Sequence, residues 1–221
     1  MGAFIIAVDG PAAAGKGTLS RRLAGEYGLA HLDTGALYRA TARDVLAAGV
    51  DPADGDAAAA IAAKLDPASL ADPALRSEAV GRAASVVSSH PAVRATLLDY
   101  QRNFAYHPPV GTKGAVLDGR DIGTVVCPEA TVKLYVTASL EARAGRRLRE
   151  LEAAGGPVDA AAVLADMQAR DERDSKRSAA PLRPATDAVV LDTSGLDADE
   201  AFGAAVSIVR ARIRSLGTSQ A

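Results

Sequence analysis

Five short apolar runs, rich in β-branched residues, are spread along the chain, and longer segments with helical periodicity lie between them. The runs cover residues 4–8, 29–32, 114–118, 131–137 and 188–192. Continuous apolar runs of this length, separated by helices, are typical of strands that are buried on both faces of a parallel sheet. The pattern predicts an α/β fold in which a five-stranded parallel sheet has helices on both faces.

The helices are marked by their apolar spacing and by their stop signals. Leu19 and Leu23 repeat at i, i+4 in the first helix, which Gly28 is expected to end. A later helix, at about 139–156, is predicted to have a basic exposed side that includes Arg143, and the last helix is predicted to bury Ile213. Residues 50–72, rich in Ala, Asp and Pro, indicate a connector with one short helix rather than part of the core. The remaining helices are expected at about 35–49, 73–88, 91–105 and 159–176, and the last one from about 197.

Aspartates stand at the carboxyl ends of four predicted strands. They are Asp9, Asp33, Asp118 and Asp192. Because ligands of open parallel sheets bind at this edge, we expect the functional site to lie there.

Composition and charge limit the classes of function. The chain has 221 residues, of which 48% are hydrophobic and 24% charged, enough for one domain with a full core. Its formal net charge of −2, without a long basic stripe, argues against a nucleic-acid or membrane-surface partner. The single Cys127 excludes an internal disulfide, and no segment reaches the ~18 apolar residues of a membrane span. We therefore expect a cytoplasmic protein. We also expect a monomer whose partners are small molecules.

A glycine-rich loop follows the first predicted strand and leads into the first helix. Glycines let backbone N–H groups close around a triphosphate, a lysine supplies charge to the outer phosphates, and the helix N-terminus adds its dipole. An ordinary glycine-rich turn is the alternative, but the strand, the loop length, the lysine and the following hydroxyl all coincide. The GKGT ending, in place of GK followed by Ser or Thr, is the variant found in nucleotide kinases. The loop consists of Gly10, Pro11, Ala12, Ala13, Ala14, Gly15, Lys16, Gly17 and Thr18.

Asp118 ends the third predicted strand, in the context of a Walker-B carboxylate. In phosphate-loop proteins this carboxylate holds or orients Mg²⁺, and we expect Asp118 and the Thr18 hydroxyl to do so here, directly or through water. An Asp after a strand is also common in turns. However, Arg120 and Asp121 are expected in the same crevice, and a turn does not require a second acid with a guanidinium. Which carboxylate orients the metal stays open.

Residues 168–182 form the other informative stretch. Arg170, Asp174 and Arg177 are spaced at +4 and +3, which puts them on one helical face. A solvated, salt-bridged helix is the simpler interpretation, and its exposed pairs would contribute only ~0.3–0.5 kcal/mol each. However, phosphoryl transfer needs neutralised charge and exclusion of water. A phosphate-transfer site elsewhere in the chain therefore favours the interpretation that these residues face an anionic ligand. We therefore predict an arginine-rich lid that closes over the site.

Five stretches together resemble bacterial cytidylate kinase, a family with the phosphate-loop nucleoside-monophosphate kinase fold. They are GPAAAGKGT (10–18), DTGALYR (33–39), ASVVSSHPAVR (84–94), LDGRDIGTVV (117–126) and RDERDSKRSAAPL (170–182). The resemblance extends from residue 4 to about 213. It implies that the γ-phosphate of ATP is passed to CMP or dCMP, with Mg²⁺ as cofactor and nucleotides as the partners.

The resemblance also implies a role for individual residues. The phosphate loop, residues 10–18, would bind ATP. Cytosine has an amino donor at N4 beside ring acceptors at N3 and O2. A carboxylate at N4, together with Arg or Ser donors at N3 and O2, would therefore favour cytosine over uracil. We choose Asp121 as that carboxylate. Ser85 and Asp174 would contact the ribose. The implied catalytic residues are Lys16, Arg120, Arg170 and Arg177, and the implied CMP site consists of Thr34, Arg39, Ser85, Arg94, Arg120, Asp121, Arg170, Asp174 and Arg177.

The chain departs from the family pattern in two places. Members often read GPSGAGKGT, whereas Ala12 and Ala13 stand here in place of Ser and Gly, so any contact from that Ser hydroxyl is absent. Longer members have a small β-rich insert before the segment that starts at Ala84, and the connector here shows no strand pattern. We expect one kinase domain over 1–221, with a core at about 1–35, 90–150 and 180–221, a short monophosphate-binding segment at about 36–90 and a lid at about 150–180.

Two alternatives remain open from the sequence. One is another small kinase of the same fold, acting on UMP, AMP or shikimate. The other is a phosphate-loop nucleotide switch or regulatory module. No NKxD motif for guanine occurs in the sequence, which argues against a GTP-dependent switch. A passive nucleotide-binding module would not explain the arginine-rich stretches.

Overall fold

A five-stranded parallel sheet lies at the centre of the computed structural model, which describes residues 3–153, 155 and 158–218. The strands follow the order β2-β3-β1-β4-β5, and each neighbouring pair is parallel. The predicted α/β class and the five strands are confirmed, with each strand end within one residue of its expected position. The strands are β1 (Phe4–Asp9), β2 (Ala30–Asp33), β3 (Gly114–Gly119), β4 (Val132–Thr137) and β5 (Val189–Asp192).

Eight α-helices connect and cover the strands within the described residues. Side chains cap several of them: Asp33, Asp54 and Asp159 each accept a hydrogen bond from a backbone N–H in the first helical turn. Gly28 ends the first helix in the left-handed conformation, as predicted. None of the described helices has the length and apolar composition to cross a membrane. The helices are α1 (Lys16–Tyr27), α2 (Thr34–Ala47), α3 (Gly55–Ala62), α4 (Glu78–Val87), α5 (Pro91–Tyr106), α6 (Leu140–Ala153), α7 (Ala160–Lys176) and α8 (Ala198–Thr218).

The core has two layers, one on each face of the sheet. Successive side chains of a strand point to opposite faces, so Ile5 of β1 packs in one layer and Ile6 in the other. The first layer contains α2, α4 and α5, and the second contains α1 and α8. Because helices cover both faces of the sheet, the loops that follow the strands meet at its carboxyl edge.

Four expectations from the sequence differ from the structure. The segment 73–88 is a 3₁₀ turn (Pro73–Arg76) and α4, because Ser77 between them is extended. The 50–72 connector does contain the short helix α3, but Ala58 of that helix is buried in the core. Arg143 is buried rather than exposed, and Ile213 is 41% exposed rather than buried. The expected end of α6 at Gly156 lies outside the described residues.

Candidate active site

The phosphate loop, residues 10–18, crosses the carboxyl edge of the sheet between β1 and α1. Gly10 has φ +147°, and a Cβ there would lie 1.9 Å from the carbonyl oxygen of Val136 on β4. Only glycine therefore lets the loop lie directly on the neighbouring strand. Gly15 is left-handed with φ +89° and precedes α1, so the N–H groups at the start of the helix face the loop.

Lys16 is buried inside this loop. Its Nζ donates to the carbonyl oxygen of Pro11 at 2.6 Å, which uses one of the three ammonium donors. Burial lowers the pKa of Lys16 well below its usual value, and the charge of Arg120 acts in the same direction, while Asp118 and Asp9 oppose it. A buried ammonium with two unused donors, near the guanidinium groups of Arg120 and Arg170, favours an anion beside it.

Asp9, the last residue of β1, anchors the segment that follows β3. Its Oδ1 accepts from the N–H of Ile122 and its Oδ2 from the N–H of Gly123, both at 2.7 Å. Burial raises the pKa of Asp9 to about 6, although these two hydrogen bonds oppose the shift. Since each carboxylate oxygen already holds a backbone N–H, Asp9 is poorly placed to take a metal ion.

Asp118 stands at the end of β3, beside the phosphate loop. Its Oδ2 lies 2.7 Å from Nε2 of His31, and its backbone oxygen accepts from Oγ1 of Thr34 at 2.8 Å. Thr18, in the first turn of α1, is exposed and accepts at Oγ1 from Nη2 of Arg21 at 3.4 Å. In the described ranges no cluster of three or more His, Cys, Asp or Glu forms a metal cage. A hydroxyl and one carboxylate nevertheless fit Mg²⁺, which takes oxygen ligands and is usually bound by few protein groups together with substrate phosphates.

Asp121 forms the centre of a buried charge cluster after β3. Arg94 of α5 donates to Oδ2 of Asp121, and Nη2 of Arg177 lies 3.9 Å from Oδ1. Arg94 also lies over the ring of Tyr38, 5.3 Å from its centroid. Three elements that are distant in sequence therefore converge on one carboxylate.

A second cluster lies next to it and joins β3 to α7. Nε of Arg120 donates to Oδ2 of Asp174 at 2.9 Å. Burial alone would raise the pKa of Asp174, but Arg120 and Arg170 outweigh it and hold that pKa below its usual value. Burial lowers the pKa of Arg170 to about 10, and the neighbouring charge of Arg120 adds to the shift. Positive charge thus exceeds what the carboxylates here compensate.

The remaining candidates lie around these clusters. Arg39 of α2 donates to Asp33 at 2.6 Å, and its charge also acts on Arg170. Ser85 of α4 is buried and accepts at Oγ from Nε of Arg173 at 3.2 Å. The charges of Asp118, Arg120 and Arg170 each act on Lys16, so Arg170 of α7 lies near the phosphate loop.

Several residues in this region were not singled out from the sequence. Asp171 of α7 pairs with both terminal nitrogens of the buried Arg143, at 3.1 and 2.6 Å, and Arg143 also lies 3.4 Å from the carbonyl oxygen of Ala12 in the phosphate loop. Arg173 and His31 contact predicted site residues. The stretch 168–182 signalled that α7 matters, but no spacing in it distinguishes Asp171 from Asp174 as the partner of another helix.

Comparisons with known proteins point in the same direction. The family described as cytidylate kinase matches residues 6–211. A protein named cytidylate kinase from Paramagnetospirillum magneticum is 62% identical over 205 residues, covering 93% of this chain and 97% of the relative. Those of the same name from Rhodospirillum rubrum and Rhodopseudomonas palustris are 60% and 58% identical, covering 93% and 94% of this chain and 97% and 96% of the relatives.

Solved structures support the fold alone. An uncharacterized protein from Eubacterium ventriosum superposes with a TM-score of 0.53, covering 94% of this chain and 98% of that one. Its sequence identity is 15%, which carries no information on substrate.

Proposed function

The chain belongs to the cytidylate kinase family, and from this premise we propose that it transfers the γ-phosphate of ATP to CMP or dCMP, giving ADP and CDP or dCDP. One observation carries the proposal furthest. Nε of Arg39, Nε of Arg170 and Nη2 of Arg177 are buried without a hydrogen-bond acceptor in the described part of the chain. Buried unpaired donors are costly, and a phosphate dianion supplies several acceptors at once.

The donor nucleotide would bind in the phosphate loop. The backbone N–H groups of residues 10–18 and the start of α1 would surround the β- and γ-phosphates, with Lys16 beside the outer ones. The lowered pKa of Lys16 supports this, because an adjacent phosphate would stabilise the charged form of the buried lysine. Mg²⁺, when bound, neutralises developing charge on the transferred group, and Thr18 and Asp118 would hold it.

The acceptor nucleotide would lie between β3, α4, α5 and α7. Arg39, Arg120, Arg170 and Arg177 would neutralise the monophosphate and the transferring group. The Asp121 carboxylate would accept from the amino group at N4 of cytosine, in exchange for part of its contact with Arg94 or Arg177. One well-placed charged donor is typically worth roughly 3 kcal/mol of barrier, about a hundredfold in rate.

The division into core, monophosphate-binding segment and lid belongs to the same proposal. It is supported by the direction of the α7 contacts, which reach Arg120 beyond β3 and Ser85 on α4. A lid that supplies charge only when closed makes catalysis depend on exclusion of water. We propose further that the protein acts in the cytoplasm as a monomer, which analytical ultracentrifugation with and without nucleotide tests.

A panel of acceptors tests the proposed substrate. ADP formation is measured with ATP and Mg²⁺ in the presence of CMP, dCMP, UMP, AMP or shikimate. We expect CMP and dCMP to be preferred, and equal rates with AMP or shikimate would refute the substrate assignment. ATP binding without ADP formation on any acceptor would instead indicate a nucleotide-binding module.

Lys16→Ala tests the assigned donor site. We expect CMP phosphorylation to fall by at least about a hundredfold, because the charge next to the outer phosphates is lost. Lys64→Ala removes an exposed lysine of the connector and serves as the matched control. Undiminished activity of Lys16→Ala would show that the site has been misassigned.

A further inference from the structure

The segment that follows α7, residues 177–182, contains a left-handed residue. Ala180 has φ +51°, whereas the φ of the neighbouring Ala179 is not positive. This region is disfavoured for alanine because its Cβ crowds the following carbonyl oxygen. Pro181, the next residue, also disfavours the right-handed helical conformation at Ala180. A strained residue of this kind persists only where the surrounding contacts hold it in place.

Two hydrogen bonds fold this segment back onto the end of α7. The N–H of Leu182 donates to the carbonyl oxygen of Asp174 at 2.8 Å, and Nε of Arg177 donates to the carbonyl oxygen of Ala180 at 2.6 Å. Leu182 is also buried. The left-handed turn therefore places a carbonyl oxygen against the guanidinium of the first residue after the helix.

The bond at Nε determines where the rest of the Arg177 side chain points. A guanidinium is planar, so an acceptor at Nε restricts the directions of both terminal nitrogens. Nη2 lies 3.9 Å from Oδ1 of Asp121, which is beyond hydrogen-bond distance. In the described part of the chain this buried nitrogen has no acceptor, and the side chain is only 5% exposed. The turn thus holds an unpaired buried donor at the crevice, where an incoming anion would satisfy it.

We propose that Ala180 is a positioning residue, whose left-handed turn holds the guanidinium of Arg177 in the orientation that receives a phosphate group of the bound nucleotides. The inference rests on the proposed function and extends it from the side chain of Arg177 to the backbone that orients it. Ala180 itself does not touch the nucleotide. Because the donor is oriented before the ligand arrives, less ordering is needed during the reaction.

Three single variants test the proposal through kcat/KM for CMP. Ala180→Val should lower it about tenfold, a part of the roughly hundredfold that one well-placed charged donor contributes, because a β-branched residue resists the left-handed region. Ala180→Gly adopts this region freely and should stay within about twofold of the wild type. Ala179→Val makes the same change where φ is not positive, and it should leave kcat/KM unchanged. Equal values for Ala180→Val and the wild type would overturn the inference.

A double variant separates this role from general support of the fold. Once Arg177→Met has removed the guanidinium, Ala180→Val should cause no further loss of kcat/KM, although it should still lower the stability against urea. If Ala180→Val lowered kcat/KM as much in this background as in the wild type, the turn would not act through Arg177. The inference would then fail while the kinase activity stood.

A measurement on the wild-type protein tests the geometry independently of activity and of whether Ala180→Val folds. The Nε–H signal of Arg177 in NMR spectra is identified by its loss in Arg177→Met. Without nucleotide it should be protected from exchange with solvent, and Ala180→Gly should retain this protection, since the carbonyl oxygen of residue 180 keeps its place. Fast exchange in the wild type would overturn the inference. Wild-type protein without a preference for CMP or dCMP in the acceptor panel would instead refute the proposed function, and the inference with it.

Discussion

Ala13 has a backbone conformation that alanine disfavours, and replacing it by glycine should stabilise the protein. Its φ is +56°, in the left-handed region, and among described residues other than glycine only Ala180 shares a positive φ. The phosphate loop of related kinases often has glycine at this position. The sequence departure at Ala13 therefore coincides with a local strain in the structure.

The expected size of the effect follows from two opposing contributions. A left-handed residue other than glycine costs roughly 1–2 kcal/mol, which Ala13→Gly relieves. Glycine loses about 0.5–1 kcal/mol more backbone entropy than alanine on folding. Because Ala13 is partly exposed, the lost methyl group matters little. We expect the free energy of unfolding to rise by about 0.5–1 kcal/mol.

Ala12→Gly is the matched control. Ala12 is also partly exposed and lies in the same loop, but its φ is not positive, so glycine there has only the entropic cost. Urea unfolding should place the two variants about 1–2 kcal/mol apart, on opposite sides of the wild type, with similar m-values. If both variants were destabilised equally, the left-handed strain at Ala13 would not exist in solution.

Two further predictions concern buried charges. Because folding raises the pKa of Asp9 to about 6 from its usual 3.8, the folded state binds the proton more tightly, and the stability that this group contributes should fall by about 2 kcal/mol as the pH rises from 4 to 7. Asp9→Asn should remove that pH dependence in urea titrations, and a constant difference between the variant and the wild type across this range would contradict the prediction. Asp171→Asn should lower the free energy of unfolding by about 2 kcal/mol, because the buried Arg143 loses its charged partner. Glu172→Gln, on the exposed face of α7, should have little effect, and equal effects of the two variants would show that the buried pair contributes no more stability than an exposed one.

The elements of the fold were predictable because they depend on local signals. The alternation of five apolar runs with helices, and stop signals such as Gly28, gave each strand to within one residue. Prediction failed where neighbours decide. Ser77 interrupts the expected 73–88 helix in an extended conformation. Ile213 lies beyond Val209, the last residue of α8 in the core layer.

The sequence predicted which residues belong to the candidate site better than it predicted which of them form ion pairs with one another. The spacing of Arg170, Asp174 and Arg177 indicated one helical face, and Asp174 of α7 does meet Arg120 after β3. Arg177, however, follows the last residue of α7 in an extended conformation, from which it lies 3.9 Å from Asp121. Arg143 looked like one of several surface arginines, because an alternation of charges along a helix does not say which of them meets a neighbouring helix. Its burial arises from the packing of α6 on α7. Which ligand atom each site residue contacts stays a prediction.

The distribution of charge in the crevice bears on the proposed closure of α7 over it. Arg170 is buried beside Arg120 and within range of Lys16 and Arg39, so these cations repel one another beyond what the nearby carboxylates offset until a phosphate binds. Withdrawing α7 would relieve this repulsion and rehydrate Arg170, but it would break the contacts of Asp171 with Arg143 and of Arg173 with Ser85. Phosphate groups change the balance, because they turn the repulsion into attraction while these contacts persist. We therefore expect bound nucleotides, rather than the chain alone, to favour the closed position of α7. The γ-phosphate of the donor would then be least exposed to water when the acceptor nucleotide is also bound.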